Sequence, residues 1–191
     1  MPQLWIVAGP NGAGKTTLVS HRLARRIPVV NPDVIAQELP RVGGRLDERR
    51  AGEIAIERRN GLLTQGTDFA IETTLSGASA LRFLRTAKQV GYKVTLVYVG
   101  LTSVDLSIRR VLHRVADGGH AVPVSALERR YPDIMSKLAQ AVLLADRSYV
   151  FDNSGRRRRL LVIRDRGRTR YVAADLPEWV VKSLAALLGL R

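Results

Sequence analysis

The chain has 191 residues, with 31 Lys or Arg against 17 Asp or Glu, so its formal charge at pH 7 is +14. This length fits one domain, or one domain with a small lid or tail. Because the chain contains no cysteine, disulfide scaffolds, thiolate zinc sites and cysteine nucleophiles are excluded. No apolar run approaches the ~18 residues of a membrane span, and no basic stretch precedes the first apolar segment, so we expect a cytoplasmic protein without a cleaved signal peptide.

Strands alternate with helices along the chain, and the strands are apolar runs. In chain order the patterns predict strand 3–8, helix 15–25, strand 27–30, helix 34–39, helix 47–64, strand 69–71, helix 79–90, strand 94–99, helix 104–116, helix 125–144 and strand 149–151. Segments 160–164 and 170–173 then predict a hairpin, and a last helix capped by Asp175 runs to Leu190. Ser125 and Glu128 predict a capping box at the start of helix 125–144.

This alternation predicts a three-layer α/β sandwich of the P-loop NTPase or kinase type, with a mostly parallel sheet of about five strands covered by helices on both faces. We expect one domain over 1–191, with a helical lid at about 109–130 and a basic hairpin plus helix at about 156–191. The arginine run 156–159 is interpreted as a solvated turn.

A phosphate-binding loop follows the first strand. Residues 9–16 read GPNGAGKT and match GxxxxGK[ST], with a strand before and a helix after. Glycines let backbone amides wrap phosphate oxygens, Lys15 reaches the β- and γ-phosphates, and the Thr16 hydroxyl binds Mg²⁺. The predicted ATP-binding residues here are Gly9, Pro10, Asn11, Gly12, Ala13, Gly14, Lys15, Thr16 and Thr17.

Three carboxylates follow predicted strands, at the edge where open α/β sheets bind ligands. Asp33 lies where a small kinase keeps its base, although an Asp at a helix start is equally well explained by the helix dipole. Glu72 ends a buried strand, which indicates a role in positioning Mg²⁺ or substrate. Asp152 is compatible with ordinary turn chemistry.

A basic segment predicts the lid. Phosphoryl transfer needs cations on the γ-phosphate, often from a segment that closes over ATP. Each of these residues taken alone is equally compatible with an arginine-rich surface or a capped loop. The candidate residues of the segment are Arg109, Arg110, Arg114, His120, Arg129 and Arg130.

Several motifs then occur in a specific order: GPNGAGKTT, NPD, AIE ending at Glu57, IETTLSG, RVADGGHAVP with ERRYP, and VFDNSG. Together, over about residues 4–155, they resemble the zeta toxin family of P-loop kinases, in its short stand-alone bacterial branch. The resemblance implies transfer of the ATP γ-phosphate to a sugar hydroxyl, with Mg²⁺ as cofactor. Better-known toxin members phosphorylate UDP-N-acetylglucosamine, and an antitoxin protein is an expected partner.

The resemblance also implies residue roles. Asp33 matches the base, Arg114 the first of two lid arginines, and His120 stands where toxin members have the second, so Arg129 or Arg130 is the alternative cation. The catalytic set is Lys15, Asp33, Arg114 and His120. ATP is assigned Arg110, Arg114, Asp152 and Asn153 beyond the loop. Substrate is assigned Asn31, Asp33, Glu57, Glu72, Thr73, Thr74, Arg129 and Arg130.

Two other functions stay open. The positive charge, carried by 26 arginines and five lysines, favours phosphorylated ligands and attracts nucleic acid, so a nucleic-acid hydroxyl kinase or RNA-binding NTPase is the alternative. Aromatic residues make up only 5% of the chain and are not interleaved with basic residues along it, which disfavours that alternative. A non-catalytic nucleotide switch is the third hypothesis.

Overall fold

The computed structural model describes residues 1–44, 46–119 and 121–189. His120, assigned above to the lid, lies outside the described residues. The strands are β1 (Gln3–Ala8), β2 (Val29–Val30), β3 (Phe69–Thr73), β4 (Lys93–Gly100), β5 (Arg147–Asp152), β6 (Arg159–Asp165) and β7 (Arg168–Val172). The helices are α1 (Lys15–Arg22), α2 (Pro32–Glu38), α3 (Glu48–Thr64), α4 (Ala78–Gln89), α5 (Val104–Ala116), α6 (Val124–Leu144) and α7 (Glu178–Leu188).

The strands form one sheet in the order β2-β3-β1-β4-β5-β6-β7. The first five strands in this order pair in parallel with one another, which confirms the predicted parallel sheet. The predicted hairpin is also present, and it adds β6 and β7 antiparallel to the edge of β5. The sheet therefore has seven strands, and the chain beyond the fifth strand extends it.

Two apolar cores lie on opposite faces of the sheet because successive side chains of a strand alternate. Leu4 and Ile6 belong to the core under α4, α6 and α7, whereas Val7 belongs to the core that includes Leu18 and Val19 of α1. A single strand thus supports both helical layers. No helix in the described part of the chain is long and apolar enough to cross a bilayer.

The C-terminal helix is anchored at a glycine in β4. A Cβ atom at Gly100 would overlap the indole ring of Trp179, and that ring also packs 5.7 Å from the ring of Tyr98. The absence of a side chain at Gly100 therefore allows α7 to approach the sheet.

Two predicted helix caps are wrong. Helix α6 begins at Val124 with Pro123 as its N-cap, so Ser125 already lies within the first turn. Helix α7 begins at Glu178 with Pro177 as its N-cap, and Asp175 instead pairs with Arg159 at 3.1 Å. In both cases a nearby proline, whose φ suits a helix entry, defines the start in place of the polar residue.

Candidate active site

The candidate site forms where β1 and β3 end side by side. Their parallel register pairs Val7 with Glu72 and Ala8 with Thr73. The loop that follows Ala8 therefore emerges beside the polar residues that end β3. This juxtaposition follows from the sheet order and agrees with the position of ligand sites in open α/β sheets.

The phosphate-binding loop has backbone angles that favour glycine. The φ angles of Gly9, Gly12 and Gly14 are 140°, 73° and 85°. A Cβ atom at Gly9 would overlap the carbonyl oxygen of Val99, so the loop also passes too close to β4 for a side chain there. Backbone geometry therefore requires glycine in this motif, in addition to the need for close approach to phosphate.

Three consecutive carbonyl groups of this loop are held by side chains from outside it. The Ser107 hydroxyl donates to Asn11 O at 2.7 Å, Arg110 Nη1 to Gly12 O at 3.4 Å, and Asn153 Nδ2 to Ala13 O at 2.9 Å. In a trans peptide the N–H points opposite to the C=O. Holding the carbonyls of residues 11 and 13 outward therefore turns the next N–H groups, at residues 12 and 14, the other way, as phosphate binding requires.

One face of α5 supplies much of this support. Ser107, Arg110 and Arg114 are spaced i, i+3 and i+7 and so share a helix face. Ser107 is 2% exposed, and Arg110 also donates to Ser154 O at 3.4 Å. Ser107 was not among the residues predicted from the sequence, although its helical spacing from the two arginines is the signal that identifies it. For Arg110 and Asn153, contact with ATP stays a prediction; in the structure both side chains bond to the loop, and Arg110 also bonds to Ser154 O.

A buried lysine of the loop and a buried glutamate at the end of β3 interact electrostatically. Lys15 Nζ donates to Pro10 O at 3.0 Å, while Glu72 accepts from the Thr16 hydroxyl and from Asn31 Nδ2, both at 2.8 Å. Burial lowers the pKa of Lys15 and raises that of Glu72, although the two opposite charges partly offset this. Arg114 lowers the Lys15 pKa slightly further.

A cavity of about 250 Å³ collects most of the predicted substrate residues. Its lining includes the predicted residues Asn11, Lys15, Asn31, Asp33, Glu72, Thr73, Thr74 and Arg130. It also includes five residues that the sequence did not single out, namely Pro32, Ala36, Glu48, Ser76 and Val122. The acidic groups Asp33, Glu48 and Glu72 converge here with two cations, on a lining rich in amide and hydroxyl groups.

Glu57 does not line this cavity. It faces a separate cavity between β2 and α3, together with Ile54, Arg58 and Leu62. Glu48 begins the same helix nine residues earlier, roughly 13 Å away along the axis. The acidic residue that α3 contributes to the first cavity is therefore Glu48.

The turn after β3 places hydroxyl groups in the cavity through a strained residue. Leu75 is fully buried with φ 65°, an unusual angle for a bulky side chain. Its N–H donates to Thr73 Oγ1 at 3.1 Å, and the hydroxyls of Thr74 and Ser76 are 2.9 Å apart. Lys137 Nζ of α6 donates to Ser76 O at 2.9 Å and holds the turn. Strain of this kind is concentrated at functional sites.

Of the other residues predicted for the site, some line the cavity and others lie outside its described lining. Arg130 lines the cavity, whereas Arg129 and Arg109 are exposed outside its described lining. Thr16 and Thr17 are exposed. Asp152 is 7% exposed and accepts from the Ser154 hydroxyl at 2.6 Å, so its carboxylate stabilises the turn after β5.

The residues present fit a magnesium ion that is bound jointly with a nucleotide. The described residues contain no group of three or more His, Cys, Asp or Glu side chains able to hold a metal by themselves. Mg²⁺ in nucleotide sites needs only one or two protein oxygens, because phosphates and waters supply the rest. The Thr16 hydroxyl and the Glu72 carboxylate, 2.8 Å apart, offer those oxygens.

The family model for the zeta toxin matches residues 1–162. The chain belongs to the zeta toxin family. An uncharacterised protein from Haemophilus influenzae is 33% identical over 136 residues, which are 68% of this chain and 97% of that protein. The residues matched to the zeta toxin model thus include the phosphate-binding loop, the lining of the cavity and the parallel strands.

Solved structures share the fold of this family member. The AvrRxo1-ORF1:-ORF2 complex with ATP superposes with a TM-score of 0.74 at 17% identity, over 89% of this chain and 60% of that chain. The PezAT toxin–antitoxin system of Streptococcus pneumoniae gives 0.61 at 20% identity, over 98% and 78%. This chain therefore spans less than two thirds of the AvrRxo1 chain that it resembles. The common fold is that of P-loop kinases.

Proposed function

We propose that this protein transfers the γ-phosphate of ATP to a hydroxyl group of a small polar acceptor. The observation that carries the proposal is the single cavity in which Lys15 of the phosphate loop, Asp33 and the hydroxyl-rich turn after β3 meet. With ATP bound at the phosphate loop and an alcohol bound at the turn after β3, the γ-phosphate and the acceptor hydroxyl would be adjacent. Phosphoryl transfer consists mainly of such positioning and of charge stabilisation.

Each residue has a role that its surroundings support. Asp33 accepts the proton of the attacking hydroxyl, and its backbone N–H is held by Asn31 Oδ1 at 2.9 Å. Lys15 and Arg130, with Arg114 beside Lys15, stabilise charge on the transferred group. Thr16 and Glu72 would hold Mg²⁺, which neutralises charge on the β- and γ-phosphates when bound. A phosphate beside Lys15 and a cation beside Glu72 would each offset the cost of burying those charges.

The lining of the cavity supports a polyhydroxylated acceptor. Carboxylates accept hydrogen bonds from alcohols, and Glu48, Thr73, Thr74 and Ser76 add to the groups that bind hydroxyls. The family resemblance makes UDP-N-acetylglucosamine the first acceptor to test. Because PezAT is a toxin–antitoxin system, an antitoxin protein is the partner that we propose.

The direct test is mass spectrometry of the products formed from ATP, Mg²⁺ and a panel of UDP-sugars and simple sugars. We expect one phosphorylated acceptor, lost with Lys15→Ala and with Asp33→Asn, while Asp33→Asn still binds ATP. Full activity of Asp33→Asn would show that Asp33 is not the base. ATP turnover without any sugar product would direct the search to other acceptors.

A matched pair of α3 variants tests which glutamate serves the acceptor. Glu48→Gln should raise the KM for the acceptor, because Glu48 lines the cavity with Asp33. Glu57→Gln should leave that KM unchanged, because Glu57 lines the other cavity. The reverse result would support the role that the family resemblance implies for Glu57 and would place the acceptor beside β2.

A cellular test addresses toxicity. Induced expression of the wild-type chain should arrest bacterial growth, and Asp33→Asn at equal expression should not. Growth arrest by both proteins would show that toxicity does not depend on phosphotransfer. Rescue by a co-expressed neighbouring open reading frame would identify the antitoxin.

A further inference from the structure

The outer part of the sheet has one face on which aromatic side chains of β5 and β7 remain at least partly exposed. On β5, Ser148, Val150 and Asp152 are buried, whereas Arg147, Tyr149 and Phe151 on the opposite face are partly exposed. Helix α7 packs on the buried face through the core that contains Val150, Leu161 and Val162. Helix α1 packs on the other face against β1 and β3, and Tyr149 and Phe151 lie at the border of that core. Beyond these two residues, Ile163 on β6 is partly exposed and Tyr171 on β7 is exposed, so this face opens to solvent toward β7.

Aromatic side chains form a row across this face. The register places Ile163 opposite Tyr149 on β5 and opposite Tyr171 on β7. Tyr171 is 44% exposed, and Phe151 is two residues from Tyr149 on the same face. The two tyrosines are two strand spacings apart, roughly 10 Å. Three of the ten aromatic residues of the chain thus share one surface, although Tyr171 lies 20 positions beyond Phe151 in the sequence.

Arginines surround this row. The guanidinium of Arg158 lies 5.5 Å from the centre of the Phe151 ring. Asp165 pairs with Arg147 at 3.2 Å and Asp175 with Arg159 at 3.1 Å, which accounts for two of the basic groups. The exposed arginines of the same segment outside those pairs are Arg156, Arg157, Arg158, Arg166, Arg168 and Arg170.

We propose that the face of β5, β6 and β7 that carries Tyr149 and Tyr171 binds single-stranded nucleic acid. Bases would stack on Tyr171, Tyr149 and Phe151, and the arginines would contact phosphates. The sheet produces across its strands the interleaving of aromatic and basic residues that the linear sequence lacks. An acidic protein would satisfy the arginines but would leave the tyrosine row unexplained, and guanidinium groups also stack on bases. The net charge of +14 adds long-range attraction to a polyanion.

This inference is independent of the proposed phosphotransfer, because binding requires neither ATP nor Asp33. The probe is a 20-nucleotide fluorescein-labelled single-stranded RNA of mixed sequence, and the readout is anisotropy with the full chain between 50 and 300 mM salt. We expect binding whose affinity falls with salt, with a log–log slope of about −0.7 for each phosphate contacted.

Two kinds of variant separate stacking from charge. Tyr171→Ala should weaken binding by roughly 5- to 150-fold with an unchanged salt slope, whereas Tyr171→Phe should bind like the wild type. Combined Arg156→Ala, Arg157→Ala and Arg158→Ala should reduce the steepness of the slope by about 2. The matched control removes Arg22, Arg25 and Arg26, which are exposed at and beyond the end of α1.

Several outcomes would overturn the proposal. An equal loss in the α1 control would show that only the net charge attracts RNA. Wild-type affinity of Tyr171→Ala, checked for intact melting, would exclude base stacking on this row. Equal affinity for duplex RNA, or competition by poly-glutamate at equal charge, would identify a general polyanion surface, and absence of binding at 100 mM salt would reject the site.

Discussion

Ser107→Ala tests whether α5 shapes the phosphate loop. The change removes a 2.7 Å hydrogen bond at a position that is 2% exposed and leaves Asn11 O without that donor. A buried carbonyl without a partner costs about 1–2 kcal/mol, which corresponds to a fall in Tm of about 2–8 °C for a chain of this size. The loop would then sample arrangements that do not bind phosphate. Since ATP must select the competent one, its Kd should rise by at most about 5- to 30-fold.

Isothermal titration calorimetry with ATP and with inorganic triphosphate measures this effect, and both ligands should lose the same factor because both depend on the loop. Ser148→Ala is the matched control, since Ser148 is 1% exposed and its hydroxyl donates to Val142 O at 3.4 Å, away from the loop. The reasoning is refuted if Ser107→Ala binds triphosphate like the wild type, or if Ser148→Ala weakens binding equally.

Three further variants, two of them with a matched control variant, test the site and the fold. Arg130→Ala should lower kcat by about 10²- to 10³-fold, and Arg129→Ala should change it by no more than about twofold, because Arg130 lines the cavity; equal losses would contradict this assignment. Gly100→Ala should lower Tm by about 2–12 °C through overlap with Trp179, whereas Gly52→Ala, in open space on α3, should raise it slightly. Burial raises the pKa of Glu72, so ionisation of this carboxyl costs stability as the pH rises above its ordinary value of 4.5. Glu72→Gln should therefore have a higher Tm than the wild type at pH 8 but not at pH 4, and it should lose phosphotransfer. A Tm difference that grows as the pH falls would contradict the direction of the Glu72 pKa shift.

The sequence predicted the parallel sheet and the phosphate loop well, because both depend on local patterns. Apolar runs identify buried strands, and the spacing of the loop motif positions the glycines, the lysine and the threonine that bind phosphate and Mg²⁺. Helix α5 was predicted with the bounds that the structure has, Val104–Ala116. The predicted caps failed at Ser125 and Asp175, where a neighbouring proline outweighed a polar side chain.

The supports of the site could not be predicted in the same way, since they join distant residues. Ser107 lies 96 positions from Asn11, and Asn153 lies 140 positions from Ala13. Their pairing depends on β4 lying next to β1, and β5 next to β4, in the sheet, and apolar runs do not encode that order. Glu48 was missed because the sequence places it at a helix start and does not show which cavity that end faces.

The contacts of α5 limit which part of the predicted lid can move. Ser107 and Arg110 are bonded to the loop, and Gly119 N–H donates to Arg114 O at 2.8 Å, so the helix and the turn after it form one unit with the phosphate site. At the other end, Lys137 holds α6 to the turn after β3. We predict that any closure over ATP occurs between these two anchors, in the segment that carries Val122 and Arg130. Because both residues line the cavity, movement of this short segment would bring a cation to the transferred phosphate without disturbing the loop that binds it.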